Sequence, residues 1–278
     1  MIGLSFLALA VAAGIVAVVF GVAWRFQERI VWQPPAPPYP PDPAGARRVT
    51  FSAHDGQPLF GYVLGDELPA GSSIPALVIV FHGNADLAVW TVPWARELSR
   101  RTGRRVFVPE YRGYGGLTGT PTYNGSALDA RAALVFARDS LGAAGRPVAV
   151  YGHSLGSAIA AELAAREGAE VLVLQSPFTS ASAMARIMIG ARMLALWRLI
   201  ARVHFDTVER VRGLSAPVWV AHGDRDLVIP VRMGREVFAA VRHPGELLIV
   251  PGAGHNDLPE VGGEAYWGWL TRALGARP

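Results

Sequence analysis

The chain has 278 residues and a net charge of +4, and every one of its 26 basic side chains is arginine. That length suits a single large core with one short extra segment. Cysteine is absent, which excludes a disulfide framework, a thiolate metal site and a cysteine nucleophile.

The arginines are spread along the chain, and the densest group, Arg100, Arg101, Arg104 and Arg105, falls at a helix end. A nucleic-acid footprint would cluster such charge with aromatics on one face, so no nucleic-acid partner is expected and the charge reads as a solvated surface. No metal-ligand spacing, phosphate loop or dinucleotide fingerprint is present, and no cofactor is expected.

Ile2 to Trp24 is an apolar run in which Ser5 is the one clearly polar side chain. As a helix rising about 1.5 Å per residue it spans roughly 34 Å, enough for a hydrocarbon core of about 30 Å. A cleavable signal peptide wants a basic start and a shorter apolar stretch, and the small triplet Ala8-Leu9-Ala10 comes too early for one. Residues 1–24 are therefore expected to be a retained single-pass transmembrane anchor in the cell membrane, with Trp24 and Trp32 in the interfacial belt. Arg25, Arg29, Arg47 and Arg48 come after the run and no basic residue precedes it. The positive-inside rule then favours the cytoplasmic over the exported side for the domain that follows. Pro34 to Pro43 is mostly proline. Residues 25–47 are accordingly expected to form a juxtamembrane linker whose stiff, extended part lifts the next domain off the bilayer.

From Val49 the pattern alternates. Strands are predicted at Arg48–Ala53, Leu59–Leu64, Ala76–His82, Arg105–Pro109, Pro147–Gly152, Glu170–Gln175, Pro217–His222 and Glu246–Val250. Helices are predicted at Val89–Arg101, Tyr123–Leu141, Leu155–Arg166, Val231–Val241 and Leu258–Leu274. Short β-branched runs, apolar on both faces and joined by helices, indicate an α/β fold: a mostly parallel, eight-stranded, doubly wound sheet covered on both sides. The first two runs have no helix between them and predict an antiparallel hairpin at one edge.

Gly152-His153-Ser154-Leu155-Gly156 comes directly after a predicted strand and opens a predicted helix. A nucleophile on such a turn needs strained backbone angles, so small residues must flank it two positions away on each side. A serine hydroxyl also needs a base, and the base an orienting acid. On such an elbow the order along the chain is serine, acid, histidine. Of the histidines after Ser154, only His255 lies in a loop, residues 251–257, between the last strand and the last helix. His222 ends a strand and is expected to pack beneath the acid loop, while His204 and His243 lie in polar, helical surroundings and read as surface residues. The acid falls just past the strand 217–222, where Asp226 sits deeper in the loop than Asp224, which is left to stabilise the turn. The oxyanion hole takes the amide of Leu155, after the nucleophile, and a second amide from the loop closing the third strand, that of Asn84. Substitution at Asn84 is expected to act by distorting that loop.

Phe81-His82-Gly83-Asn84-Ala85, Tyr111-Arg112-Gly113-Tyr114-Gly115, Gly152-His153-Ser154-Leu155-Gly156, His222-Gly223-Asp224-Arg225-Asp226 and Gly254-His255-Asn256-Asp257 occur in that order. Together they resemble the α/β-hydrolase superfamily, in its serine-aminopeptidase-like, abhydrolase-domain branch. Within that branch the chain is similar to small membrane-anchored hydrolases that include protein depalmitoylases. The resemblance runs from about Val49 to the C-terminus and implies the same triad, Ser154, Asp226 and His255. Two departures stand beside the site: Glu110 where the branch usually has Asp, and Gly116-Leu117 in place of a basic-Ser pair.

The resemblance also implies a helical lid at 176–211 within a catalytic domain of 48–278. That segment sets Met184, Ile187, Met188, Met193, Leu196, Trp197, Leu199 and Ile200 against Arg186, Arg192, Arg198 and Arg202. Such spacing reads either as core packing or as an amphipathic lid that lines an acyl pocket or touches lipid headgroups. The expected activity is hydrolysis of a carboxylic ester or thioester, of a small-molecule or lipid-like substrate with a hydrophobic acyl group. An amidase or peptidase using the same triad is the first alternative, and a non-catalytic membrane scaffold the second.

Overall fold

The computed structural model describes residues 2–66 and 76–275, apart from the side chains of 2–10, 12, 13, 23, 192, 193 and 196. Its centre is an eight-stranded sheet in the order β1-β2-β4-β3-β5-β6-β7-β8. The strands are β1 (Arg47–Ser52), β2 (Pro58–Leu64), β3 (Leu77–Phe81), β4 (Arg105–Pro109), β5 (Ala149–His153), β6 (Leu172–Gln175), β7 (Val218–Gly223) and β8 (Pro244–Val250). β1 and β2 form the antiparallel edge and β2 meets β4 antiparallel, whereas β3 through β8 pair in parallel.

Successive side chains of a strand face opposite sides, and in β3 both sides are apolar. Leu77, Ile79 and Phe81 join one core, and Val78 and Val80 the other. The first core is closed by α3 (Tyr123–Ser140), α4 (Leu155–Glu167), α6 (Thr207–Gly213) and α7 (Val231–Ala239), the second by α2 (Ala88–Thr102) and α8 (Leu258–Leu274). Caps fix several of these starts: Thr122 accepts the Gly125 amide at the head of α3, and Asp206 accepts that of Glu209 at α6.

Between β6 and β7 lies α5 (Ala181–Ile200), broken at Gly190, which takes φ 76°. Ala185 and Leu194 are buried, while Ile187, Met188, Ile189 and Leu199 are exposed. The segment thus has one packed side and one outward apolar side. The side chains of Arg192, Met193 and Leu196 lie outside the described residues.

The N-terminal segment departs from expectation. Helix α1 (Ile2–Val31) does not stop at Trp24 but continues through residue 31. Its foot is docked on the domain, with Gln27 and Glu28 buried. Gln27 Nε2 donates to the Ile200 carbonyl at 2.7 Å and its Oε1 accepts the Arg202 amide at 2.7 Å. Glu28 accepts the Tyr123 amide at 3.0 Å and pairs with Arg202 at 3.3 Å. Trp32 is 2% exposed and packs edge-on against Tyr111 and Phe205. It is a core residue and not part of an interfacial belt, because its ring closes the gap between α1 and the sheet.

Among the described residues no helix is long and apolar enough to cross a membrane, so the transmembrane span expected at 1–24 is not found in the structure. Part of that run, including the side chains of Ser5 and of residues 8–10, lies outside the described residues, and the polar remainder of the helix is tied to the fold. The proline-rich stretch also lies along the domain instead of standing it off. Tyr39 packs on the first core, and Asp42 accepts the Tyr62 hydroxyl at 2.6 Å.

Two arginines that read as surface charge are buried. Arg104 is gripped by both oxygens of Glu170, at 2.7 and 2.8 Å. Arg112 pairs with Asp129 at 2.7 Å and with Asp55 at 2.7 Å, which ties the loop after β4 to α3. Cutting one partner from a buried pair leaves an uncompensated charge, so Asp129→Ala is expected to lower the unfolding free energy by about 3 kcal/mol. Urea unfolding measures it, and a loss under about 1 kcal/mol would show that Asp55 alone suffices.

Candidate active site

Ser154 stands where β5 ends and α4 begins, with φ 53° and ψ −119°. An L-residue rarely holds a positive φ, and such strain persists only where surroundings over-determine it. Here the enforcement is steric. A methyl group at Gly152 would run into the Gly156 carbonyl, and one at Gly156 would run into those of Phe81 and His82. The two glycines let the turn close tightly enough to lift the hydroxyl above the sheet.

The loops after β7 and β8 meet over that hydroxyl. His255 Nε2 lies 2.9 Å from Ser154 Oγ, and its Nδ1 lies 2.7 Å from Asp226 Oδ2. A carboxylate can only accept, so Nδ1 carries the proton and Nε2 presents its lone pair to the serine O–H. Asp226 is held from several sides. Its Oδ1 accepts the amides of Val228 and Ile229, each at 2.8 Å, and its Oδ2 lies 3.2 Å from His222 Nε2. Burial works against its charge, yet His222, His255 and the Ile229 amide keep the carboxyl well below the ordinary carboxylate range.

His222 is fully buried and also donates from Nε2 to the Ile229 carbonyl at 2.8 Å. It therefore fixes the acid loop without touching the serine, as its sequence position suggested. Asp224 accepts the Gly252 amide at 2.7 Å and so stitches the two loops together. His204 and His243 are exposed, although both lie outside the helices.

On the other side of Ser154 stands the turn after β3. A Cβ at Gly83 would sit 3.6 Å from Ser154 Cβ and 3.1 Å from His153 Nδ1, so this loop lies directly against Ser154. Leu155 is the first residue of α4, and its amide has no acceptor within the helix. Beneath the turn, His82 Nδ1 meets the Gly83 carbonyl and Nε2 meets Glu110 Oε1, each at 2.9 Å. Both nitrogens face oxygens, and the Glu110 carboxylate favours the charged form of the ring. Burial opposes that charge, but the Glu110 carboxylate outweighs it and raises the pKa. Glu110, the departure in sequence, thus closes a buried ion pair, and it also accepts the amides of Ala88 and Tyr111, each at 3.0 Å.

Ser154, Leu155 and Asn84 open onto a cavity of about 450 Å³, within the range of small-molecule sites. Its walls are apolar and come from three places: Val19, Phe20, Ile30 and Val31 of α1, Met184, Met188, Ile189, Trp197 and Ile200 of α5, and the loop residues Phe178, Val203, Phe205, Val228 and Ile229. Among the described residues no group of three or more acidic or histidine side chains is arranged to hold a metal. The contributions of α1, and the role of the Asn84 side chain, escaped sequence reasoning. Only the burial of Gln27, Glu28 and Trp32 reveals them, and no local pattern marks it.

His153, the variable residue of the elbow, lies 3.1 Å through Nε2 from the His255 carbonyl. Burial, aided by the neighbouring His255, lowers its pKa to about 4. In an unfolded chain the same ring titrates near 6.5, so on acidification the unfolded state takes up the proton first. Its contribution to stability is complete above about pH 6.5 and declines as the pH falls toward about 4. Denaturant titrations of wild type and His153→Phe from pH 7 to 4 check this. The variant is expected to lose less stability across the window, and equal slopes would refute the assignment.

A family model described as "alpha/beta hydrolase fold" matches residues 76–199. An uncharacterized protein of Mycobacterium tuberculosis is 36% identical over 95% of this chain and 91% of its own length. The human alpha/beta hydrolase domain-containing protein 17B is 31% identical over 69% of this chain and 62% of its own. Among solved structures, an esterase of Pyrococcus furiosus superposes with TM-score 0.67 at 20% identity, covering 87% of this chain and all of that one. A bacterial membrane phospholipase A superposes with TM-score 0.61 at 20% identity, over 99% of this chain and 98% of that one. With the family-model match, the abhydrolase-domain relative, the sheet order and the strained serine turn together, the chain belongs to the α/β-hydrolase superfamily.

Proposed function

We propose that the chain is a serine hydrolase that cleaves a carboxylic ester or thioester with a hydrophobic acyl group, through an acyl-enzyme on Ser154. The observation that carries this reading is a serine hydroxyl 2.9 Å from a histidine that is itself fixed by a carboxylate, at the wall of an apolar cavity of about 450 Å³. His255 takes the proton of Ser154 as Oγ attacks the carbonyl carbon, and Asp226 stabilises the imidazolium that forms. The amides of Asn84 and Leu155 receive the oxyanion. His255 then protonates the leaving alcohol or thiol and, in the second half, draws a proton from the water that releases the acid.

The acyl preference rests on the lining. Apart from Gln27, Gln33, Asn84 and Ser154, the residues that enclose the cavity are apolar, as an alkyl chain requires and a peptide does not. The same reading sets α1 and α5 at a lipid surface. Val11, Ile15, Val16, Val18, Val19, Val22, Trp24, Phe26 and Ile30 of α1 are exposed, as are Ile187, Met188, Ile189 and Leu199 of α5. A patch of that size beside a substrate cavity suits contact with lipid. The structural likeness to a membrane phospholipase, which extends over the N-terminal helix, supports it.

Three measurements test the proposal. A fluorophosphonate probe is expected to label the wild type, with labelling and hydrolysis both abolished in Ser154→Ala; an unlabelled wild type ends the enzymatic reading. Asp226→Asn is expected to lower kcat on the order of 10⁴-fold, because the wrong tautomer of His255 then faces the serine. Across p-nitrophenyl esters, kcat/KM is expected to rise up to about fourfold per added methylene until the cavity fills, from about 0.8 kcal/mol per buried CH₂. Preference for acetate over octanoate would sink the acyl assignment.

A further inference from the structure

The Asn84 side chain is tied to the end of α1. Its Nδ2 donates to the Val31 carbonyl at 2.5 Å, and its Oδ1 accepts the Gln33 amide at 3.0 Å and the Tyr114 hydroxyl at 2.7 Å. The Tyr114 hydroxyl also accepts the Gln33 amide, at 3.1 Å. Three polar groups from three parts of the chain therefore close on one another where the last turn of α1 meets the turn after β3. The carbonyl of Val31 needs this partner, because the last carbonyls of a helix find no donor within it.

Two further contacts fix where that helix end sits. Trp32 is sunk between Tyr111 and Phe205, and the Gln27 amide is paired in both directions with the backbone at the end of α5. The residue after Asn84 shows the consequence. Ala85 holds φ 53°, a left-handed conformation that costs an L-residue and persists only under external restraint. The described hydrogen bonds of Asn84 lie on its α1 side and on Tyr114, immediately before that strained residue. A loop held in this way can keep its amide aimed at a developing oxyanion with no reorganisation at the moment of reaction, which is where such donors gain their effect.

We infer that the end of α1 is a positioning element of the catalytic site: through the Asn84 side chain it holds the oxyanion loop in register with Ser154, so that the seating of the N-terminal helix sets kcat. The inference rests on the hydrolase reading above. The side chains of Asn84, Tyr114 and Trp32 act here through the loop and not on substrate. The arrangement gives α1 two parts in one site, since the helix that walls the acyl cavity also braces the loop beside the nucleophile.

The test uses the full chain and p-nitrophenyl acetate, whose acyl group is too short to report on the cavity walls, with kcat expressed per Ser154 titrated by a fluorophosphonate. Asn84→Ala is expected to lower kcat about 10- to 100-fold with KM nearly unchanged, somewhat less than the 10²–10³ of losing a donor outright. Tyr114→Phe, which keeps the buried ring and removes only the hydroxyl, is expected to lower kcat a few-fold by the same route. Trp32→Ala is expected to lower kcat in the wild-type background and to add little in Asn84→Ala, because both act through one link. Unchanged kcat per labelled site in Asn84→Ala and Tyr114→Phe overturns the inference while leaving the hydrolase reading intact. Full additivity of Trp32→Ala with Asn84→Ala overturns it as well. A wild type that takes up no probe at all removes the hydrolase reading and this inference with it.

Discussion

The carboxylate of Asp226 is the constraint on which the site depends. One oxygen takes two backbone amides of its own loop, Val228 and Ile229. The other faces His255 at 2.7 Å and His222 at 3.2 Å. Four donors converging on one side chain fix its position, its ionised state and, through Nδ1, the tautomer of the ring that faces Ser154. None of these donors is adjustable by itself. His222 is enclosed, and the close approach of α7 leaves room beside its ring only for the bare Cα of Gly234. Replacing one partner therefore disturbs the geometry of the others.

That carboxylate works only because the sheet delivers its neighbours to one edge. β3, β5, β7 and β8 run parallel, so their C-terminal ends open on the same side, where ligands bind in open α/β sheets. The Asn84 turn, Ser154, Asp226 and His255 come after these four strands respectively. Charges buried at this edge are matched. His82 faces Glu110 and Arg112 faces Asp129 and Asp55, which keeps the loops between strand and helix in fixed positions around Ser154. Such pairs contribute positional definition more dependably than net stability.

Helix α1 changes the meaning of the N-terminal segment. Read along the sequence, it is an apolar run and then a linker. In the fold, its last turns are welded to α3, to the end of α5 and to the turn after β3 by contacts between residues 51 to 175 positions apart. Two apolar helices, α1 and α5, leave between them the cavity beside Ser154, and both expose further apolar side chains outward. The segment is thus part of the site's architecture as much as an extension from it.

The sequence by itself determined the sheet, its edge hairpin and the elements that carry Ser154, Asp226 and His255. Strand ends fall within about two residues of the predicted ones, because runs apolar on both faces, helical periodicity and glycines at forced turns are local properties of a few adjacent residues. Ser154, Asp226 and His255 were legible for the same reason: each occupies a distinctive loop at the end of a recognisable strand. Tertiary structure alone decided that Arg104 and Arg112 are buried, that His82 faces Glu110, that Trp32 belongs to the core and that Asn84 reaches the end of α1. Each of those depends on which distant group a polar side chain meets when water is excluded. Composition and spacing along the chain do not encode that pairing, whereas packing does.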